Sequence, residues 1–119
     1  MVFKSKGVVF MDQKTILTDT PQNLIKNYVL LLKKQRIPVE RAILFGSYAK
    51  GDPKPWSDVD VCIVSKDFGK KPYEEMVLLQ KLTINVDPLI EPHPYHPNDL
   101  KDKWDALACE INKYGITVG

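Results

Sequence analysis

The chain has 119 residues, 44% of them apolar and 27% charged, with a net charge of +2. That is enough for one domain with a single core, and the near-neutral charge gives no argument for a nucleic-acid groove. No run of about 18 apolar residues occurs, so no membrane span is expected. The N-terminus carries no cleavable signal pattern, which predicts a cytoplasmic protein. Cys62 and Cys109 lie far apart inside periodic segments and are expected to be buried free thiols rather than a disulfide.

In chain order, residues 1–19 are expected to form an arm or an edge strand, with Val8-Val9-Phe10 as its apolar part, and residues 20–119 the domain proper. Thr20-Pro21 reads as a helix start, with Thr20 as N-cap and Pro21 at the first helical position. Leu24, Tyr28, Leu31 and Leu32 follow at helical spacing. Lys33, Lys34 and Arg36 suit the helix C-terminus, and Pro38 ends it. Arg41–Phe45 reads as a strand, Ser47–Lys50 as one turn, and Gly51–Ser57 as a loop rich in turn formers. Asp58–Val64 is the next strand, and a helix is expected from Pro72 to about Lys81.

Leu82–Ile90 alternates apolar and polar residues and predicts a third strand, with Asp87 on its polar face. Glu91–Pro97 (EPHPYHP) reads as a loop. Pro97 or Asn98 should open a last helix that buries Leu100, Trp104, Leu107, Ala108 and Ile111, with Gly115 as its C-cap. Residues 116–118 are expected as a short terminal strand. The order predicts an α+β fold: a small mixed β-sheet with helices packed on one face, under Val59, Val61 and Ile63, and an open acidic face.

The chemistry concentrates in Leu44–Val64, LFGSYAKGDPKPWSDVDVCIV. Asp58 and Asp60 stand two apart on an apolar strand and so point to one face. Two such carboxylates are costly together unless a cation is present. Oxygen ligands favour Mg²⁺ or Mn²⁺ over Zn²⁺. Asp87 is the third candidate ligand, with Glu91 as the fallback. Three carboxylates can hold two metals roughly 3.5–4 Å apart, as in phosphoryl or nucleotidyl displacement. Gly46 and Ser47 leave the neighbouring strand as a turn able to present N–H groups and a hydroxyl to phosphate. His93 and His96 lie in a proline-broken stretch and read as loop residues rather than a metal pair. Trp56 and Tyr95 are candidates to flank a nucleobase, and Lys50 or Lys54 to meet triphosphate charge.

The segment Gly46-Ser47, ten residues, then Asp58-x-Asp60, with Gly51 and Ser57 inside it, resembles the nucleotidyltransferase superfamily of DNA polymerase beta. The short chain is similar to the minimal nucleotidyltransferases, a class that includes antitoxins paired with HEPN-domain toxins. The resemblance implies a nucleotidyltransferase fold with Gly46, Ser47 and Ser57 at the nucleotide. It places Asp58, Asp60 and Asp87 at the metal and in catalysis. It also implies ATP as substrate, Mg²⁺ as cofactor, and transfer of AMP to a hydroxyl, that of a tyrosine on a HEPN toxin. Pro88, directly after Asp87, is unusual for a strand at that point. Two other functions are compatible with the motif. One is a small-molecule nucleotidyltransferase of the aminoglycoside-modifying kind; the other is a weakly catalytic module that neutralises a partner by binding it. A homo-oligomer or a hetero-complex is compatible with each.

Overall fold

Thr20 caps the first helix as its sequence requires: its hydroxyl accepts from Asn23 N at 3.1 Å, with Pro21 following at the first helical position. The structure is a computed structural model and describes residues 17–118. The strand expected around Val8–Phe10 therefore lies outside the described residues. Helix α1 (Pro21–Lys34) is followed by strand β1 (Arg41–Phe45), a single helical turn α2 (Ser47–Lys50) and strand β2 (Val59–Val64). Helix α3 (Pro72–Leu82) runs into a 3₁₀ turn (Thr83–Asn85). Strand β3 (Ile90–Tyr95), a 3₁₀ turn at Asp99–Lys101, helix α4 (Ala106–Tyr114) and strand β4 (Ile116–Thr117) complete the order.

The sheet order is β3-β2-β1-β4. The β1 strand pairs antiparallel with both β2 and β4, whereas β2 and β3 run parallel, so the sheet is mixed as expected. Successive strand residues face opposite sides. On one side Leu44, Val59, Val61 and Ile63 pack with Ile25, Tyr28 and Leu32 of α1 and Leu79 of α3. The Tyr28 hydroxyl donates to Leu79 O at 2.7 Å, tying the two helices together inside this core.

The opposite side is not open along its length. Ile43, Phe45, Cys62 and Val64 are covered by Leu100 and by Ala108 and Ile111 of α4. Helices thus occupy both faces, and on the second face Asp60, Glu91 and His93 stay at least partly accessible. Cys62 lies in this second core, and burial pushes its thiol up to about 12 despite the lowering influence of Arg41. Cys109, expected inside, is exposed.

The third strand does not lie where the alternation places it. Leu82–Ile90 ends a helix instead: Leu79, Thr83 and Asp87 are buried at intervals of four, a helical face rather than a pleated one. The strand is the proline-rich EPHPY segment. Val59 N donates to Leu89 O and Ser65 N donates to Tyr95 O, so the odd-numbered residues of β3 carry the ladder with β2. Pro92 and Pro94 therefore take the alternate, outward positions of an edge strand, where a missing N–H breaks nothing. They also blunt that edge against pairing with other chains.

The last helix is shorter than expected. It begins at Ala106, where the Asp105 carboxylate accepts from Leu107 N and Ala108 N, and it leaves Trp104 86% exposed. Gly115 is not a left-handed cap, since its φ is −66. Glycine is needed there because the chain passes close to neighbours: a Cβ would overlap Ile111 O and Ile43 Cγ2. Gly115→Ala should therefore cost about 1–3 kcal/mol of overpacking, read as a lower urea midpoint at unchanged slope.

Candidate active site

The site is assembled where β1 ends beside β2. Phe45, the last residue of β1, lies opposite Asp60 in the antiparallel register. Gly46 then turns the chain with φ 74 and ψ −155, a conformation essentially reserved for glycine. A Cβ at this position would collide with the Asp60 carboxylate. Glycine is thus required twice, once by its backbone and once by the carboxylate packed against it. Gly51 closes the turn in the left-handed region, its N–H donating to Ser47 O. The Asp60 carboxylate therefore packs directly on the Gly46 backbone.

Asp60 is half-buried, and Asp58 is exposed just ahead of β2. In the parallel register Asp60 lies beside Glu91, and Cys62 beside His93. The ligand atoms of Asp60, Glu91 and His93 all fall within 4.8 Å of one another. Glu91 is held up from its ordinary carboxylate value, first by a hydrogen bond to the Asp60 side chain, then by burial and by the Asp60 charge. Asp58 adds to this rise, which places it within electrostatic reach, and His93 opposes it. His93 Nε2 stands 3.6 Å from Asp60 Oδ1, is buried, and has no hydrogen-bond partner. The ring is set edge-on to Phe45, with centroids 5.1 Å apart.

Asp87 is not in this cluster. It sits at the end of the 3₁₀ turn, only 4% exposed. Its Oδ2 accepts from the Thr18 hydroxyl at 3.2 Å and from Thr18 N, and its Oδ1 accepts from Leu89 N at 2.8 Å. The carboxylate ties the start of the described chain to the α3–β3 connection. The third carboxylate beside Asp60 is Glu91, the fallback of the sequence reading. The displacement follows from the strand shift: with β3 beginning at Ile90, position 91 and not 87 comes level with Asp60.

The other expected residues divide. Ser57 Oγ accepts from Lys54 N at 2.8 Å, so it stabilises its own loop. Lys50 is committed to α4, 3.7 Å from Glu110 and 5.0 Å from the Tyr114 ring. Tyr95 donates to Asp105 at 3.0 Å, and Trp56 is 68% exposed beside Asp58. His96 Nδ1 accepts from Asn98 N and takes no part in the cluster. His93 is the residue the sequence reading missed. Its signal was the odd spacing of Glu91 and His93 between prolines, which suits one face of an edge strand.

A glycine turn thus packs against a carboxylate of the neighbouring strand, with a second acid level with it on the next. The family model described as nucleotidyltransferase domain matches residues 26–110, and the chain belongs to this family and is a nucleotidyltransferase. It is 34% identical over 82 residues to a curated protein of Methanocaldococcus jannaschii named "Putative protein adenylyltransferase", covering 67% of this chain and 79% of that one. Among solved structures, it superposes on a toxin–antitoxin crystallised with AMP-PNP at a TM-score of 0.50 and 21% identity, covering 81% of this chain and 70% of that one. A mutant of the toxin–antitoxin MntA-HpeT gives a TM-score of 0.47 at 17% identity, over 83% of this chain and 72% of that one. No helix among the described residues is long and apolar enough to cross a membrane.

Two outcomes follow from the carboxylate geometry. Asp87→Ala removes the buried charged acceptor shared by Thr18 and Leu89 N and should cost about 1–3 kcal/mol of stability while sparing nucleotide transfer at temperatures where it is folded. Glu91 has a raised folded-state value, so its share of stability is full at low pH and is lost as pH rises through that value. In chelator, the melting midpoint of the wild type should therefore fall relative to Glu91→Gln as pH rises from 4.5, the ordinary glutamate value, toward neutrality.

Proposed function

We propose that this nucleotidyltransferase moves AMP from ATP to a hydroxyl on a protein, and that the acceptor is a tyrosine of a HEPN-type toxin, so that the chain acts as a cytoplasmic antitoxin. The observation that carries the reading is the Asp60 carboxylate packed against Gly46, with Glu91 level with it on the neighbouring strand. The name of the Methanocaldococcus relative supports protein as acceptor, and the toxin–antitoxin with AMP-PNP supports adenine nucleotide and toxin partner.

The family implies a divalent cation, Mg²⁺ or Mn²⁺, and the residues fit one. Asp60 and Glu91 offer oxygens from neighbouring strands, Asp58 adds charge nearby, and His93 Nε2 is a buried polar atom with no partner. When bound, such cations neutralise triphosphate charge and favour departure of pyrophosphate. The chain's own part is positional. Gly46 lets the backbone approach the phosphates, and Ser47 offers N–H and hydroxyl donors at the start of the turn. The acceptor oxygen forms a bond to the α-phosphorus as the bridging bond to the β-phosphate oxygen breaks. Glu91 takes the role expected of Asp87, third carboxylate and acceptor of the hydroxyl proton.

The test is label transfer from α- and γ-labelled ATP in parallel, with Mg²⁺ and a HEPN-type protein as acceptor. Label from the α position alone, with a loss of about 100-fold or more in Asp60→Asn, is the expected result. Asp87→Asn should retain transfer. Mg-ATP binding without label on any protein would turn the assignment toward a small-molecule acceptor. Neutralisation of the toxin by Asp58→Asn/Asp60→Asn would instead favour a binding module.

A further inference from the structure

His93 is placed more firmly than a solvated histidine would be. Its backbone lies in the β2–β3 ladder beside Cys62, and it is flanked by Pro92 and Pro94, whose rings fix φ. Its ring stacks edge-on against Phe45, the residue that precedes the Gly46 turn. Its Nε2 is buried and is aimed at the Asp60 carboxylate, yet the separation of 3.6 Å is too long for a hydrogen bond. A buried ring nitrogen without a partner is unfavourable unless something else completes it.

The spacing fits a shared cation better than a direct contact. Two atoms each about 2.1 Å from one octahedral cation lie roughly 3.0 Å apart at a right angle. Asp60 Oδ1 and His93 Nε2, 3.6 Å apart, are somewhat wider, a gap that a small side-chain rotation closes. Glu91, two residues before His93 on the same face of β3, brings the third donor. We propose that His93 is a nitrogen ligand of the cation held by Asp60 and Glu91, so that this site prefers Mn²⁺ to Mg²⁺. This rests on the reading of the site as a cation site. The preference follows because imidazole strengthens binding of transition ions, whereas Mg²⁺ favours oxygen donors and its own waters.

The experiment uses the tag-free protein and manganese chloride without nucleotide. Binding is followed by loss of the free-Mn²⁺ electron spin resonance signal, and Mg²⁺ is measured by competition. The bound Mn²⁺ in the wild type should show spin-echo modulation from a directly coordinated imidazole nitrogen. The chain has two histidines, and His96 is already engaged with Asn98, so the assignment is clear. His93→Ala and His93→Gln should both abolish the modulation and weaken Mn²⁺ by about 10-fold or more. They should change Mg²⁺ affinity by less than about threefold.

Bound Mn²⁺ without imidazole modulation in the wild type overturns the proposal and needs no variant. Unchanged Mn²⁺ affinity in both variants also overturns it, while loss of binding in Asp60→Asn keeps the cation site itself. Failure of the wild type to bind Mn²⁺, or binding that survives Asp60→Asn with Glu91→Gln, overturns the cation reading and this inference together.

Discussion

The register of one parallel strand pair sets the chemistry of this domain. Because β2 and β3 run side by side with Asp60 level with Glu91, two acids share a small space at the open end of the sheet. Their mutual cost shows in the hydrogen bond between them and in the raised proton affinity of Glu91. A proton relieves that cost partly; a divalent cation relieves it more fully and without neutralising a ligand. The same constraint reaches the neighbouring strand. Asp60 occupies the volume a side chain at position 46 would need, so the turn that follows β1 has to be glycine.

Much of the remaining chain holds that register and turn in place. Asp87 fastens the α3–β3 connection to Thr18 and so sets where β3 begins. A slip of one residue there would move Glu91 to the other face of the sheet. Tyr95, at the far end of β3, is held by Asp105, which also caps α4. Lys50, at the end of the turn, meets Glu110 and Tyr114 of that same helix. This exposed pair contributes little by itself, but it joins the glycine turn to the helix that covers the second core.

The motif from Gly46 to Asp60 was legible because each part has a local cause. Glycine and turn formers punctuate, apolar runs on either side mark strands, and carboxylates inside such a run have few structural explanations. The first helix was legible for the same reason: Thr20-Pro21 is a start signal that needs no tertiary partner. The third strand was not. Alternation in Leu82–Ile90 has the same appearance whether the segment ends a helix or forms a strand, and burial of Leu79, Thr83 and Asp87 decides for the helix. Prolines at 92 and 94 looked like loop residues because their tolerance depends on the strand being an edge with its outward positions unpaired. Sheet order is a tertiary fact, and with it went which acid lies level with Asp60 and the position of His93. Trp104 was misplaced by a related error, since the helix cap at Asp105 takes residue 104 out of the buried stripe.

Asp60, Glu91 and His93 are carried by paired strands rather than by a mobile loop, which separates two costs that often travel together. Side chains on loops must be ordered when a ligand arrives, at roughly 0.5–1.5 kcal/mol for each one immobilised. Here the backbone under all three is already fixed by the β2–β3 ladder, Phe45 limits the His93 ring, and Gly46 abuts Asp60. The cost that remains is electrostatic: acids close together and a ring nitrogen without a partner. Such a cost is relieved by positive charge and by little else. The loop from Gly51 to Ser57 is closed on itself through Lys54 N and Ser57 Oγ and leads directly into Asp58. On the proposed reading, recognition of the acceptor falls to the surface around the site, while the strand register holds the acids together.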